Sequence, residues 1–230
     1  MKTKRVFVYG ASGHGKVVGD VLVSKGDIGF AGFVDDKEEL QDTKVLGFPV
    51  FGNGEWLRQE ALNSCVAIAL GVGESRSRQW LMERCSHWGI ETLTLVHPAA
   101  TVARSALLGP GTVVMAGAII NAEAKVGAGV IVNTGAVVEH DTEIGDYAHV
   151  APVAAMGGAS RLGAFSHLGL GAVVLQCIQI GSRTIVGAGA VVVENLPDQV
   201  VAIGIPARIH RRLEQESSVI EQVGLQKVKP

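Results

Sequence analysis

A six-residue repeat runs without a break from Val96 to about Pro197 and constrains the fold more than any other feature of the chain. Every sixth residue from Val96 to Val192 is aliphatic or Met, as at Val114, Val132, Val150, Leu168 and Val186, giving 17 hexads in one phase. Four residues later most hexads carry a smaller side chain, as at Ala118, Ala136, Ala154 and Ala172. Gly often follows the aliphatic residue directly, as at Gly109, Gly127, Gly145 and Gly163. Hexad periodicity of this kind marks a parallel β-helix. Each hexad builds a short strand and a turn, and three hexads build one triangular coil. The aliphatic and the small residue both point inward, because the narrow prism has no room for a second large group. The Gly that follows is expected to adopt backbone angles that other residues resist. At roughly 4.8 Å per coil, about 5.7 coils give a prism about 27 Å tall.

The 230 residues allow one or two units, and a hydrophobic content of 47% fills a large core easily. A net charge of −2 argues against a nucleic-acid surface. No apolar run approaches the 18 residues of a membrane span, and the run at Val6–Tyr9 is too short for a signal peptide. Cys65, Cys85 and Cys177 are odd in number and scattered, which fits free thiols in a reducing cytoplasm and offers no zinc-like pair. A cytoplasmic protein without membrane insertion is expected.

Before Val96 the period changes. Residues 5–9, 30–34 and 65–70 read as buried strands, residues 16–24, 55–63 and 75–89 as helices, and residues 46–52 as extended. Strands alternating with helices predict a small Rossmann-like α/β unit with a parallel sheet. The chain is therefore divided into residues 1–95, the β-helix of residues 96–213, and a tail of residues 214–230 that has lost the hexad. Between the first strand and first helix lies Gly10-Ala11-Ser12-Gly13-His14-Gly15. Its spacing is not that of a dinucleotide fingerprint. A glycine loop at a helix N-terminus still suits the phosphate of another nucleotide. Asp35 and Asp36 at the end of the second strand suit ribose hydroxyls or a base.

Taken in order, several stretches resemble one family. They include Val8-Tyr9-Gly10-Ala11-Ser12-Gly13-His14-Gly15, Gly32-Phe33-Val34-Asp35-Asp36, Val96-His97-Pro98, Asn133-Thr134-Gly135, Glu139-His140-Asp141, Ile144-Gly145-Asp146-Tyr147-Ala148-His149 and Gly204-Ile205-Pro206-Ala207-Arg208. Over about residues 4–213 the chain resembles the bacterial sugar O-/N-acetyltransferases of the sialic acid O-acetyltransferase type. Within them it is most similar to the nucleotide-linked amino-sugar N-acetyltransferases of surface-glycan (lipopolysaccharide O-antigen) biosynthesis. The resemblance implies a left-handed β-helix, a homotrimer with active sites between neighbouring prisms, acetyl-CoA as co-substrate and no metal. It implies a nucleotide-linked sugar, expected to be a 4-amino sugar, bound by the N-terminal unit.

Acetyl transfer from a thioester needs a base for the attacking group and a donor for the developing oxyanion. His140 is the candidate base, with Asp141 in the family's acidic position to fix its tautomer. The resemblance assigns Gly158 and His149 to the acetyl donor and Asn133 to the substrate. Ser12, Gly13, His14, Asp35 and Asp36 are the nucleotide candidates. Gly187 and Ala188, with Gly189, are expected to pack on the pantetheine arm, and Arg208 to meet a CoA phosphate. His149 is half a circuit from His140, so it is expected to face the His140 of a neighbouring subunit. His167 is read as a surface residue, and His87, His97 and His210 as structural or exposed. One departure from the family lies at residues 153–167, which are less glycine-rich than in relatives.

Three alternatives accompany this reading. A sugar or sialic acid O-acetyltransferase shares the base and the donor site. A zinc carbonic anhydrase-like prism needs three His ligands between subunits; His140, His149 and His167 lack the close pair, and the nucleotide unit does not suit it. A non-catalytic sugar-nucleotide-binding protein is separated from an enzyme by acetyl-CoA turnover.

Overall fold

The computed structural model describes residues 4–26 and 29–213. The reading of the tail, residues 214–230, lies outside the described residues. The N-terminal unit is a four-stranded sheet in the order β2 (Phe30–Val34), β1 (Arg5–Tyr9), β5 (Val66–Leu70), β6 (Glu91–Thr92), with every pairing parallel. Between β2 and β5 lie a short hairpin, β3 (Lys44–Val45) and β4 (Phe48–Pro49), and the helix α2 (Gly54–Asn63). The segment read as one extended run at residues 46–52 is thus half of a hairpin. Helix α3 (Ser75–His87) leads into β6.

Helix α1 spans Gly13–Lys25 and starts three residues earlier than expected. Glycines are poor helix formers, so Gly13 and Gly15 read as loop. Gly15 is there because a Cβ would lie 1.9 Å from the Gly10 carbonyl oxygen. Gly10 has φ +112°, the conformation that turns the chain from β1 into α1. His14 therefore sits in the first helical turn and not in a loop.

The hexads form seventeen two-residue strands, β7 (Leu95–Val96) through β23 (Val191–Val192), closed by the antiparallel pair β24 (Val200–Ile203) and β25 (Arg208–Arg212). Each strand pairs in parallel with the one a coil above, as Val114↔Val132 and Val132↔Val150. Three flat faces result. The expected aliphatic ladder is the buried core, packed with Ala118, Ala136, Ala154 and Ala172. An α/β unit followed by a parallel β-helix, as the sequence predicted, is the architecture observed, and it agrees with the left-handed β-helix that the family resemblance implied.

The corners correct one expectation. Left-handed φ values occur at every sixth residue from Gly111 to Gly189, which is three positions after the aliphatic residue and not directly after it. Eight of these residues are not glycine: Glu123, Asp141, Tyr147, Val153, Ala159, Phe165, Cys177 and Arg183. The Gly immediately after the aliphatic residue serves close packing between coils. A Cβ on Gly127 would lie 2.4 Å from Asp146 Oδ1, and one on Gly163 2.4 Å from the Gly181 carbonyl carbon.

The three faces differ in the residue that points outward. On the first face, Leu95 and Val113 are buried with Met115 against Val18, Val21 and Leu22 of α1 in a core shared with the sheet. Each such burial stabilises the junction by about 1.5–3 kcal/mol. The second face presents Ile119, Val137, Ala155, Val173 and Val191. The third carries charge, with Glu143 between Lys125 (3.7 Å) and Arg161 (3.3 Å).

Candidate active site

His140 lies on the corner between the second and third faces, after β14 (Val137–Val138). Its Nδ1 is 2.8 Å from Asp141 Oδ2. The carboxylate accepts, so the proton is on Nδ1 and the Nε2 lone pair is free to act as a base. That hydrogen bond to Asp141 raises the imidazole's pKa above its ordinary value. Asp141 holds the left-handed conformation, φ +57°, which Asp tolerates better than most residues. Gly158 stacks on the ring one coil above, where a Cβ would sit 2.6 Å from His140 Nε2. The side chain of His140 is 60% exposed, and the face beside it is the apolar second face.

His149, Asn133 and His167 come together on the first face. Asn133 Nδ2 is 3.0 Å from His149 Nε2, and the His149 and His167 rings meet edge to face at 4.8 Å. His167 is half-buried there and is not the surface residue expected. Burial pushes the His149 pKa down to about 3, aided by His167, Arg78 and His14. His14 is pushed down to about 4 by burial and by Arg78, and its Nε2 is buried without a hydrogen-bond partner. The site thus brings His14 towards His149, two residues that the sequence reading had given to separate ligands. His140 stands apart, on the corner beyond the next face.

Arg78 is the residue that sequence reasoning missed. It is 1% exposed and donates to four carbonyls: Gly73, Gly129 (2.7 Å), Tyr147 and Ala148 (3.2 Å). Burial lowers its pKa to about 10, so it stays charged near neutrality. It rivets α3 and the loop after β5 to the prism. A signal was present: Arg78 occupies a core-facing position with Leu81 and Cys85, both buried at helical spacing.

Of the nucleotide candidates, Ser12 and Gly13 line a cleft of about 750 Å³ together with Ala11, Lys16, Lys37 and Lys44, whereas His14, Asp35 and Asp36 are not among its lining residues. The Ser12 side chain makes no capping hydrogen bond, so the first N–H groups of α1 face this space, where the helix dipole favours an anion. The three lysines were not foreseen. Asp35 is buried, with Oδ2 accepting from Ala11 N (2.7 Å) and Oδ1 from Lys37 N (3.0 Å), so it staples the loop to the second strand. Asp36 accepts from Tyr9 Oη (3.0 Å) and Gly54 N (2.9 Å). At the top of the prism Gly187 packs on Ile203, Ala188 is exposed, and Arg208 lies 3.7 Å from Glu194 in the closing pair. Among the described residues no group of His, Cys, Asp and Glu is arranged to hold a metal, and no helix is long and apolar enough to cross a membrane.

Comparison with known proteins gives this geometry a context. Residues 5–85 match the family model described as the PglD N-terminal domain. A curated UDP-N-acetylbacillosamine N-acetyltransferase of Bacillus subtilis is 41% identical over 122 residues. That match spans 49% of this chain and about half, 52%, of the relative's length. A variant of perosamine N-acetyltransferase from Caulobacter crescentus, solved with CoA and GDP-perosamine, is 39% identical. It superposes with a TM-score of 0.85 over 90% of this chain and 96% of that one. The acetyltransferase domain of PglB from Neisseria gonorrhoeae, solved with acetyl coenzyme A, is 37% identical with a TM-score of 0.83, over 89% and 98% of the two chains. The Bacillus subtilis and Caulobacter crescentus relatives are N-acetyltransferases, which favours that reading over the O-transfer alternative. With identity and fold shared along nearly its whole described length, the chain belongs to the family of nucleotide-linked amino-sugar N-acetyltransferases.

Proposed function

We propose that this chain transfers the acetyl group of acetyl-CoA to the amine of a nucleotide-linked 4-amino sugar, in the synthesis of a surface glycan. One observation carries the reading: His140 holds its proton on the Asp141 side and leaves Nε2 open beside Gly158. The sugar amine attacks the thioester carbonyl carbon, forming the C–N bond. The C–S bond then breaks and CoA leaves as the thiolate. His140 Nε2 takes the proton released by the amine and passes it to the departing sulfur. His149 donates a hydrogen bond to the thioester oxygen as negative charge gathers there.

The remaining parts follow from placement. The cleft at the α1 N-terminus, with Ser12, Gly13, Lys16, Lys37 and Lys44, takes the phosphates. Asp35 holds two of its lining residues, Ala11 and Lys37, through their backbone N–H groups, and His14 beside it acts electrostatically on His149 of the first face. Gly187, Ala188 and Arg208 flank the pantetheine arm and phosphates of CoA. His140 and His149 lie on different parts of one prism, so one complete site takes His140 from one protomer and His149 from the next. The apolar second face next to His140 supports a homotrimer.

The test is a thiol-release screen of acetyl-CoA with UDP-, dTDP- and GDP-linked 4-amino sugars, with product mass read in parallel. At least one sugar is expected to gain an acetyl group. His140→Ala is expected to lose about 10²–10⁴-fold in rate. No turnover with any of the three classes, or full turnover in His140→Ala, overturns the assignment.

A further inference from the structure

Asn133 lies just after the first-face strand β13 (Ile131–Val132), and its amide is held at both ends. Its Oδ1 accepts from the Thr134 backbone N–H at 2.8 Å, with Thr134 Oγ1 at 3.4 Å. A backbone N–H only donates, so the atom facing it must be the amide oxygen. The amide nitrogen is thereby turned towards His149 Nε2, 3.0 Å away. An amide NH₂ has hydrogens and no lone pair to accept with. His149 Nε2 must therefore be the acceptor, and the ring's proton must be on Nδ1.

We infer that Asn133 is a positioning residue for His149: its amide dictates which ring nitrogen carries the proton, so that His149 presents an N–H through Nδ1. The contrast with His140 makes the consequence plain. Both rings carry the proton on Nδ1, but their fixed partners are on opposite nitrogens. Asp141 takes the Nδ1–H of His140 and leaves a lone pair for the substrate. Asn133 occupies Nε2 of His149 and leaves a donor, since Nδ1 has no hydrogen-bond partner among the described residues. One imidazole is set as a base and the other as a donor by the side chain that each leans on.

The surroundings keep His149 in this form. The charged or titratable groups that act on it are Arg78 from α3, His14 from α1 and His167 from the next strand of the same face. Each opposes a second proton, as does burial. Arg78 also fixes the strand's approach by gripping the carbonyls of Tyr147 and Ala148, immediately before His149. The role differs from the substrate contact that family resemblance implied for Asn133.

The use of this donor rests on the acetyl-transfer reading; the tautomer does not. The experiment begins on the full chain without substrates. Long-range ¹H–¹⁵N NMR of histidine-labelled protein, assigned with His149→Gln, is expected to show His149 as the Nδ1–H tautomer. It is also expected to show no titration of that ring between about pH 5.5 and 8. In Asn133→Asp the carboxylate still accepts from Thr134 and now accepts from Nε2–H, so the proton should move to Nε2. That variant should lose about 10²–10³-fold in kcat, the cost of losing an oxyanion donor, while KM for the sugar nucleotide changes by less than about threefold. An Nε2–H tautomer or a titrating His149 in the unaltered protein overturns the inference. So does an Asn133→Asp variant whose KM rises at unchanged kcat, which would give the residue to the sugar. Failure of acetyl transfer with all sugars, with the NMR result intact, removes only the functional reading.

Discussion

At the residue scale, the two imidazoles show how little side-chain chemistry this reaction asks of the protein. What distinguishes His140 is its neighbours. Asp141 raises its pKa, so its neutral, proton-accepting form fills in above the ordinary value of about 6.5. The rate should therefore rise with pH along an acid limb centred above that value. Asp141→Asn keeps the left-handed corner, which Asn accepts, and removes the charge. Its limb should move down towards about 6.5. The plateau should fall by only about tenfold, because both side chains are 60% exposed and solvent screens the pair. A pH–rate profile of kcat/KM checks both, and an unmoved limb would show that another group sets it. Gly158 acts by absence. In Gly158→Ala the new methyl group would meet the His140 ring at 2.6 Å, and displacing the base by an ångström costs on the order of 10²-fold. Kinetics with an unchanged circular-dichroism spectrum would separate this from unfolding.

At the element scale, the coil is stabilised by hydroxyls as well as by its aliphatic ladder. Ser166 is 1% exposed; its Oγ donates to Gly181 O (2.7 Å) and accepts from Thr184 N (2.9 Å), tying successive coils together. Ser160 is equally buried, but its Oγ has no partner. The two residues fill equivalent places in the hexad and should respond oppositely to the same change. Ser166→Ala should destabilise by about 1–3 kcal/mol by orphaning a buried N–H and C=O. Ser160→Ala should be neutral or stabilising, since it removes an unsatisfied group. Denaturant titration of the pair is the check, and equal losses would refute the distinction. Neither outcome can be read from the sequence, where both are simply small residues in phase. The hexad did show the strands, their inward pattern and their number, because a period of six leaves few other folds. It did not show which glycines bend and which make room. Left-handed corners are filled by Val153, Phe165 and Arg183 as well as by Gly, so residue type alone does not locate them. The early start of α1 was hidden for a similar reason: Gly15 is placed by the closeness of Gly10, which only the folded chain shows.

At the scale of the whole molecule, the outward residue of each hexad assigns the three faces to different uses, and this was legible at three times the hexad period. One face is apolar at its base, where Leu95, Val113 and Ile131 lie under the N-terminal unit, and turns to His149 and His167 above. The charged face reads Lys125, Glu143, Arg161. The second face, from Ile119 to Val191, remains apolar with Ile119 and Val173 each 37% exposed. The helical spacing of Arg78 with Leu81 and Cys85 signalled its burial, but its role was not legible, because a charged residue on a helix usually faces water and its partners include carbonyls far away in the chain. The apolar face ends at the corner that carries His140, so assembly and chemistry are coupled in the proposed trimer. Val173→Asp places a charge on that face, two coils from the strand that precedes His140. Burying an unpaired carboxylate is costly enough that the variant should run as a monomer in light scattering after size exclusion. Its acetyl transfer should fall in step with the trimer fraction and recover at protein concentrations that restore assembly. A Val173→Asp monomer with undiminished turnover would mean that one prism holds the whole site, and that His149 of a neighbour has no part in it.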